Sequence, residues 1–427
     1  MVFTPGLTPG GMFFSHSFAE KKAMKGLTIA LCGLLLLQSC EKYTLSRVYR
    51  SQVMHNTGGS RDTIPGSPGH PSADTIVYVS AVTVPGGYDW RRDSLYGSIP
   101  CELLFFRNGV PLFSVQTGSI ASPSPDTHHI LDGHLYTEYA SMEGTIICRD
   151  GEELFRYPQR EMLKGLLVKG KDVYTLGRAL DGGGFYYRCN GETLLKQENG
   201  EPFGDFTNPA YGRNGALYES RNGVCFCYKT ASACFSCVDG TVSQIQTSVG
   251  AARIKDMRLF GNSPCYAADY YTTVLVFTSN RAYTLPAGTD WNAISLFLRD
   301  GNWWFIADSP SSTVCRRVDQ ADDDHAGVSF TGNDNCIYMG RSHFYSARFG
   351  GGMFSISDDT GRIMYVRDST YYFGRNTIYC EGDEVYAIIN PRERSQPPSV
   401  WHAGQSTVYG INGYLTGVEV DVSLPSL

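Results

Sequence analysis

The chain has 427 residues with 47 glycines, 13% aromatic and 18% charged residues, and a net charge of −6. That composition suits many short strands joined by tight turns, and without a basic stripe it excludes the phosphate-neutralising surface on which nucleic-acid affinity rests. The length admits two or three ordinary domains, so internal organisation decides between one body and several.

At the N-terminal end, Lys21, Lys22 and Lys25 precede an apolar run from Leu27 to Leu37 that stops at Gln38-Ser39-Cys40. A basic region followed by a short apolar run has the order of an export signal, and the run is too short to span a bilayer as a mature helix. Met24 offers a start within this region, so residues 1–23 are expected to be untranslated or an extended leader, with 24–39 as the signal peptide. The tetrad Leu37-Gln38-Ser39-Cys40 resembles a bacterial lipobox, in which a large aliphatic residue stands three before the cysteine and a small one directly before it. Gln38 departs from the commonest pattern. With Glu41 and an all-β body after it, the segment is similar to outer-membrane lipoproteins of the Bacteroidota type. The resemblance implies acylation of Cys40 and a place at the outer membrane or cell surface. Residues 40–73, rich in Gly, Ser and Pro, read as a flexible tether to a body at 74–427.

Within that body a glycine or polar turn follows a short apolar strand at Gly109, Gly151, Gly191, Gly240, Asn280, Asp319, Gly361 and Gly404. Successive intervals are 42, 40, 49, 40, 39, 42 and 43 residues, a period that means blades or solenoid units. The unit from Gly165 to Lys196 divides into LLVKG, DVYTLGR, GFYYRCN and ETLLK, the four strands a β-propeller blade needs. An aromatic landmark accompanies each unit, at Tyr78, Tyr136, Tyr174, Tyr218, Tyr266, Trp304, Tyr338 and Tyr386, and is expected to fill the wedge between blades. The expected fold is therefore an all-β propeller of eight four-stranded blades. Seven is the alternative, because the Asp319 unit lacks a clear fourth strand. The first unit opens on second-strand sequence, TIVYVSAVTV, and the segment Asn412–Val420 is expected to supply its missing strand and close the ring.

Chemical motifs are few. Gly165 to Lys171 follows the P-loop pattern until Asp172 replaces the hydroxyl residue that would bind magnesium, and no helix pattern follows. No nucleophile elbow or zinc-protease motif occurs, so no catalytic residue, cofactor or metal is assigned. Of thirteen cysteines, Cys32 lies in the leader and Cys40 would be acylated; the odd remainder cannot all pair. Cys148, Cys189, Cys237, Cys315 and Cys336 read as small core residues. The cluster Cys225, Cys227, Cys234 and Cys237 resembles a zinc site only loosely, because positions 234 and 237 of a strand face opposite ways. Ser357 to Arg362 resembles the Asp-x-x-Thr-Gly turn of quinoprotein-like propellers, but it occurs once and without their recurring tryptophan.

Two loops on one expected face of the ring are long, Val84–Pro100 and Asn390–Pro398. Closure would make their blades neighbours, bringing Trp90, Arg91, Arg92, Arg392 and Arg394 to one rim as an expected anion-binding patch. The alternative is two solvated loops whose charges pair with Asp89, Asp93 and Glu393. The functional expectation is a lipid-anchored envelope module that binds or scaffolds a polymeric glycan or a protein partner. Alternatives are a carbohydrate-active hydrolase or lyase, and a component of an outer-membrane assembly or uptake complex, which fold alone does not separate.

Overall fold

Asx-Gly dipeptides close the outer hairpin of blade after blade. Asn108-Gly109, Asp150-Gly151, Asn190-Gly191 and Asp239-Gly240 all take positive φ at both residues, 44–52° at the first and 77–84° at the second. That pair of angles defines the type I′ turn, whose twist matches two right-handed strands and which tolerates Asn, Asp and Gly best. The same side chains also clasp the blade. Each Oδ1 accepts the backbone N–H of a second-strand residue: Val77 at 2.7 Å, Leu135, Val173 and Val224 at 2.9 Å. The recurring turn is thus a structural clip as well as a reversal, which is why its residue type repeats.

The computed structural model describes residues 75–422 apart from 87–100, 117–127, 142–143, 207–212, 221–222, 261, 272, 279–280, 286–291, 300–301, 321–326, 332–335, 341, 351–352, 369, 372–377, 382 and 394. From the centre outwards, blade 1 is Gly413–Val422, Thr75–Thr83, Glu102–Arg107 and Val110–Gln116; blade 2 is His128–Leu131, His134–Ser141, Gly144–Arg149 and Glu152–Tyr157. Blade 3 is Glu161–Lys169, Asp172–Ala179, Phe185–Cys189 and Glu192–Gln197; blade 5 is Ile254–Phe260, Ser263–Tyr270, Thr273–Phe277 and Ala282–Thr284. Blade 6 is Asn292–Arg299, Asn302–Asp308, Ser312–Arg317 and Val328–Thr331; blade 7 is Cys336–Met339, Phe344–Gly350, Met353–Asp358 and Ile363–Asp368. Blades 4 and 8 have interrupted inner strands. In blade 4 Glu201–Pro202 and Tyr218–Ser220 precede Gly223–Lys229, Cys234–Val238 and Thr241–Ile245; in blade 8 Thr370–Tyr371 and Ile378–Glu381 precede Glu384–Pro391, Ser399–His402 and Gln405–Val408. Val328–Thr331 supplies the fourth strand of the Asp319 unit, so the ring has eight blades.

Each neighbouring pair of blades shares its own buried cluster. Leu176 and Tyr187 of blade 3 meet Phe226 of blade 4, and the series runs round until Ile388 and Val400 of blade 8 meet Val79 and Leu415 of blade 1. Closure is by backbone hydrogen bonds: Gly413–Val422 pairs antiparallel along Thr75–Thr83 and leaves that strand no free edge. The thiols fall into these clusters: Cys237 between blades 3 and 4, Cys227 and Cys234 between blades 4 and 5. Burial pushes Cys234 up to about 11 and Cys237 up to about 12, so both stay protonated and act as small apolar fillers.

The aromatic landmark is not uniform. Six of the eight residues lie on second strands, but Tyr218 and Tyr338 lie on the inner strands of blades 4 and 7. The clasped second-strand amides there belong to Val224 and Phe344, so the equivalent positions are Cys225 and Tyr345. Tyr136, Tyr266 and Tyr386 are buried, which marks them as packing residues rather than an exposed row.

Candidate functional site

Cys40, Trp90, Arg91, Arg92 and Arg394 lie outside the described residues. Arg392 is exposed at the start of the loop between the second and third strands of blade 8. The roots of the two long loops are fixed. Asn412 Nδ2 donates to the carbonyls of Val84 at 3.2 Å and Pro85 at 3.4 Å, and Arg367 of blade 7 donates to Gln396 Oε1. Gln396 Nε2 in turn donates to Glu393 at 2.7 Å.

The centre of the ring is more informative. Residues 203–206 and 213–217, which flank the break in the inner strand of blade 4, reach into the central channel. Phe206 stacks on His129 of blade 2 with ring centroids 3.9 Å apart. Arg213 pairs with Glu419 of blade 1, and its guanidinium lies 4.1 Å over the Tyr379 ring of blade 8. In an eight-membered ring blades 4 and 8 are opposite, so Arg213 lies across the axis from its own blade. The returning limb pairs with the inner strand of blade 3: Leu166 N–H donates to Asn214 O at 3.2 Å and Ala216 N–H to Lys164 O at 2.8 Å. This approach needs glycine on both sides. A Cβ at Gly165 would lie 2.8 Å from Leu217 Cγ, and one at Gly215, where φ is +62°, would lie 2.4 Å from Lys164 O. Gly165, which opens the P-loop-like string, therefore serves close backbone packing inside a strand.

Above these residues, on the face where the second-to-third-strand loops emerge, a cavity of about 270 Å³ opens. Its walls hold Lys164, Arg178, Lys229, Lys255, Glu201, Asp205 and Ile294, and Phe203 with Gly204 forms part of the lining. Three of these residues owe their direction to β-bulges. The pairing of inner with second strand skips Lys164 in blade 3, Lys255 in blade 5 and Ile294 in blade 6. A bulge re-aims the extra side chain, here into the mouth of the channel. A fourth bulge, at Thr416 of blade 1, turns inward instead: Thr416 Oγ1 lies 2.8 Å from Ser80 Oγ and 3.3 Å from Nδ1 of His128, whose burial lowers it to about 3.

Four cations against two carboxylates give the cavity a positive balance in an acidic chain. Lys164 Nζ donates to Asp205 at 3.0 Å, and Lys255 pairs with Asp269 at 2.9 Å. Lys229 Nζ donates to Ile254 O at 3.2 Å and stands 3.9 Å from Glu201. Arg178 is exposed and has no hydrogen bond or ion pair among the described residues. No three His, Cys, Asp or Glu side chains group to hold a metal ion among the described residues.

The strand that carries Lys164 is anchored by a buried acid. Both oxygens of Glu138 accept the Leu163 N–H, at 2.8 and 3.0 Å. Burial pushes the Glu138 carboxyl up to about 8 despite this bond, and the nearby charge of Glu161 adds to the rise. A carboxyl with a raised folded-state pKa binds more protons folded than unfolded, so its contribution is present in full below the unfolded value and is lost as pH rises towards 8. Stability is therefore expected to fall between about pH 5 and pH 8, by on the order of 2–3 kcal/mol from this group. Glu138→Gln, which keeps an acceptor for the amide but does not titrate, should flatten that slope in urea melts at pH 5.5 and 8.5. An unchanged slope would remove Glu138 as its source.

The cavity residues are not among the residues expected from the long loops, because Lys164, Arg178, Lys229 and Lys255 are strand residues. A signal was present: Leu163-Lys164-Gly165 and Ile254-Lys255-Asp256 each set a lysine inside an apolar inner-strand run. No family model matches the chain, and no curated protein sequence matches it. Among solved structures, apo AztD from Citrobacter koseri is similar with a TM-score of 0.47 and 9% identity, over 81% of this chain and 98% of that one. BamB from Moraxella catarrhalis has a TM-score of 0.41 and 11% identity, over 72% and 94% of the two chains. Hsv2 from Kluyveromyces lactis has a TM-score of 0.37 and 12% identity, over 64% and 94%. The eight-bladed propeller assignment rests on this chain's own strand pairing and its cyclic series of interblade cores.

Proposed function

We propose that the chain is a non-enzymatic binding and scaffold module, lipid-anchored through Cys40 at the outer membrane or cell surface, that holds a polymeric glycan or an envelope protein. The observation that carries this reading is the occupied channel. The chain's own residues 203–206 and 213–217 reach into the axis and leave a shallow basic basin on the loop face, a recognition surface rather than a passage. A glycosidase reading needs a protonated acid and a second carboxylate flanking one bond. Glu201 and Asp205 instead each face a lysine, and the acids with raised pKa values are buried and engaged, Glu138 on a backbone amide, Glu161 on Arg188 and Glu419 on Arg213. The envelope address is supported by the order of basic region, apolar run and Ser39-Cys40 in the leader.

Two measurements test the reading. Metabolic fatty-acid labelling is expected to mark the wild-type chain and to be lost in Cys40→Ala together with membrane association; a labelled, membrane-bound Cys40→Ala chain would refute the anchor. A glycan array and a pull-down from envelope extracts should yield saturable capture without turnover. Glycan cleavage by the purified chain would instead establish the hydrolase or lyase alternative.

A further inference from the structure

We infer that the basin at the mouth of the channel binds one compact oxyanion, a carboxylate or phosphate carried on a larger ligand, and that Asp205 holds its place on Lys164 until that ligand arrives. The inference rests on the binding-module reading and gives it a chemistry. Lys164 and Lys229 retain only 17% and 23% of their side-chain exposure, so their charges are screened less than surface lysines would be. Lys164 and Lys255 reach the basin from bulges on two different blades, which makes the convergence a property of the ring rather than of one loop. Their positions are already set by Asp205, Asp269 and the Ile254 carbonyl, so little side-chain freedom remains to be lost on binding. Arg178 adds a planar fork with no partner among the described residues, suited to bidentate capture of a carboxylate or phosphate.

Asp205 is the intramolecular counterpart of the ligand's anionic group. It rises from the segment that floors the basin, and its carboxylate lies 3.0 Å from Lys164 Nζ. An incoming oxyanion that bridges Arg178 and Lys164 competes with it. A cavity of about 270 Å³ takes a single residue-sized unit, so a polymer would be gripped through one acidic unit while the rest lies on the face.

The test is calorimetric titration of the full chain with glucuronate and, separately, inorganic phosphate, at low salt and at about 0.3 M salt. Binding by either anion, weakened several-fold by salt, is expected; glucuronate alone would mark an acidic sugar as the source and phosphate alone a phosphorylated one. Lys164→Met and Arg178→Met should each weaken it by about 5–10-fold, and Arg178→Lys should recover only part, since charge returns without the fork. Asp205→Asn should tighten it by about 3–10-fold by removing the competitor. Arg362→Met, in the outer hairpin turn of blade 7, should change nothing. Should Lys164→Met lower the melting temperature, Arg178→Met at its exposed position carries the test. No binding of either anion at low salt, or equal binding in the Lys164→Met/Arg178→Met double variant, overturns the site; no tightening in Asp205→Asn overturns the placeholder. Glycan or envelope-protein capture that survives the double variant sinks the basin and leaves the module standing. Anion binding in a chain that captures neither does the reverse.

Discussion

A chain ending at Ile411 is expected to yield no soluble monomer. The deleted strand Gly413–Val422 is the inner strand of blade 1 and pairs with Thr75–Thr83 in a register broken only by the bulge at Thr416. Tyr414, Leu415, Val418 and Val420 are 0–6% exposed. Each buried side chain of this size contributes about 1.5–3 kcal/mol, so their loss costs on the order of 6–12 kcal/mol, comparable with the roughly 5–15 kcal/mol total stability of a domain. Further partners go with them: Asn390 exchanges two hydrogen bonds with Leu415, Tyr379 OH donates to Val420 O, and Arg213 loses Glu419. The truncation would leave the inner edge of Thr75–Thr83 unpaired at the centre of an opened ring, a template for intermolecular pairing. Expression with size-exclusion chromatography and light scattering would check this. A monomeric truncated chain with an unchanged melting temperature would show that closure is not the lock.

Ring closure was legible because it follows from a count: a first unit short of one strand and a last segment long by one. The turns at Gly109, Gly151, Gly191, Gly240 and Gly404 were legible for a local reason, since left-handed backbone at two successive residues admits few residue types. Apolar-aromatic dipeptides were a weaker guide. They recur on inner strands as well as second strands, so Tyr218 and Tyr338 imitate the landmark while Cys225 and Tyr345 hold its place. The channel residues left one trace, the 49-residue interval between Gly191 and Gly240 against 39–43 elsewhere. Length alone could not say that Phe206 and Arg213 reach into the channel. That depends on glycine at 165 and 215 and on partners more than two hundred residues away, such as Arg213 with Glu419. The basin was hidden for a similar reason, because a bulge is a mismatch between two strands and neither strand declares it by itself.

Replacing Arg188 by methionine is expected to destabilise the propeller by about 3–5 kcal/mol, and replacing Glu161 with it to recover much of that loss. The two side chains form a bidentate pair within blade 3, Arg188 Nη1 to Glu161 Oε2 at 2.7 Å and Nη2 to Oε1 at 2.6 Å, with side-chain exposures of 3% and 1%. The guanidinium also lies 3.9 Å over the ring of Tyr157, which belongs to blade 2 and whose hydroxyl is 3.1 Å from Thr175 Oγ1 of blade 3. The pair therefore sits across a blade boundary, at the start of the strand that carries Lys164. Alone, Arg188→Met strands a carboxylate away from water, and a buried charge without its partner costs more than the pair contributes. Burial already raises the Glu161 pKa, with Arg188 opposing the rise; without Arg188 that opposition is lost and the carboxyl takes up a proton more readily. The single variant should thus regain stability as pH falls towards the ordinary carboxylate range, by the sign rule that a raised folded-state pKa favours the folded form at low pH. The Glu161→Met/Arg188→Met double variant has no buried charge to strand and should show neither the large loss nor the added pH slope. Urea melts of the four members of the cycle at pH 5.5 and 8 measure both terms. A single variant within about 1 kcal/mol of wild type, or a double variant as unstable as the singles added together, would mean that the pair is not coupled and that blades 2 and 3 are held by their apolar cluster alone.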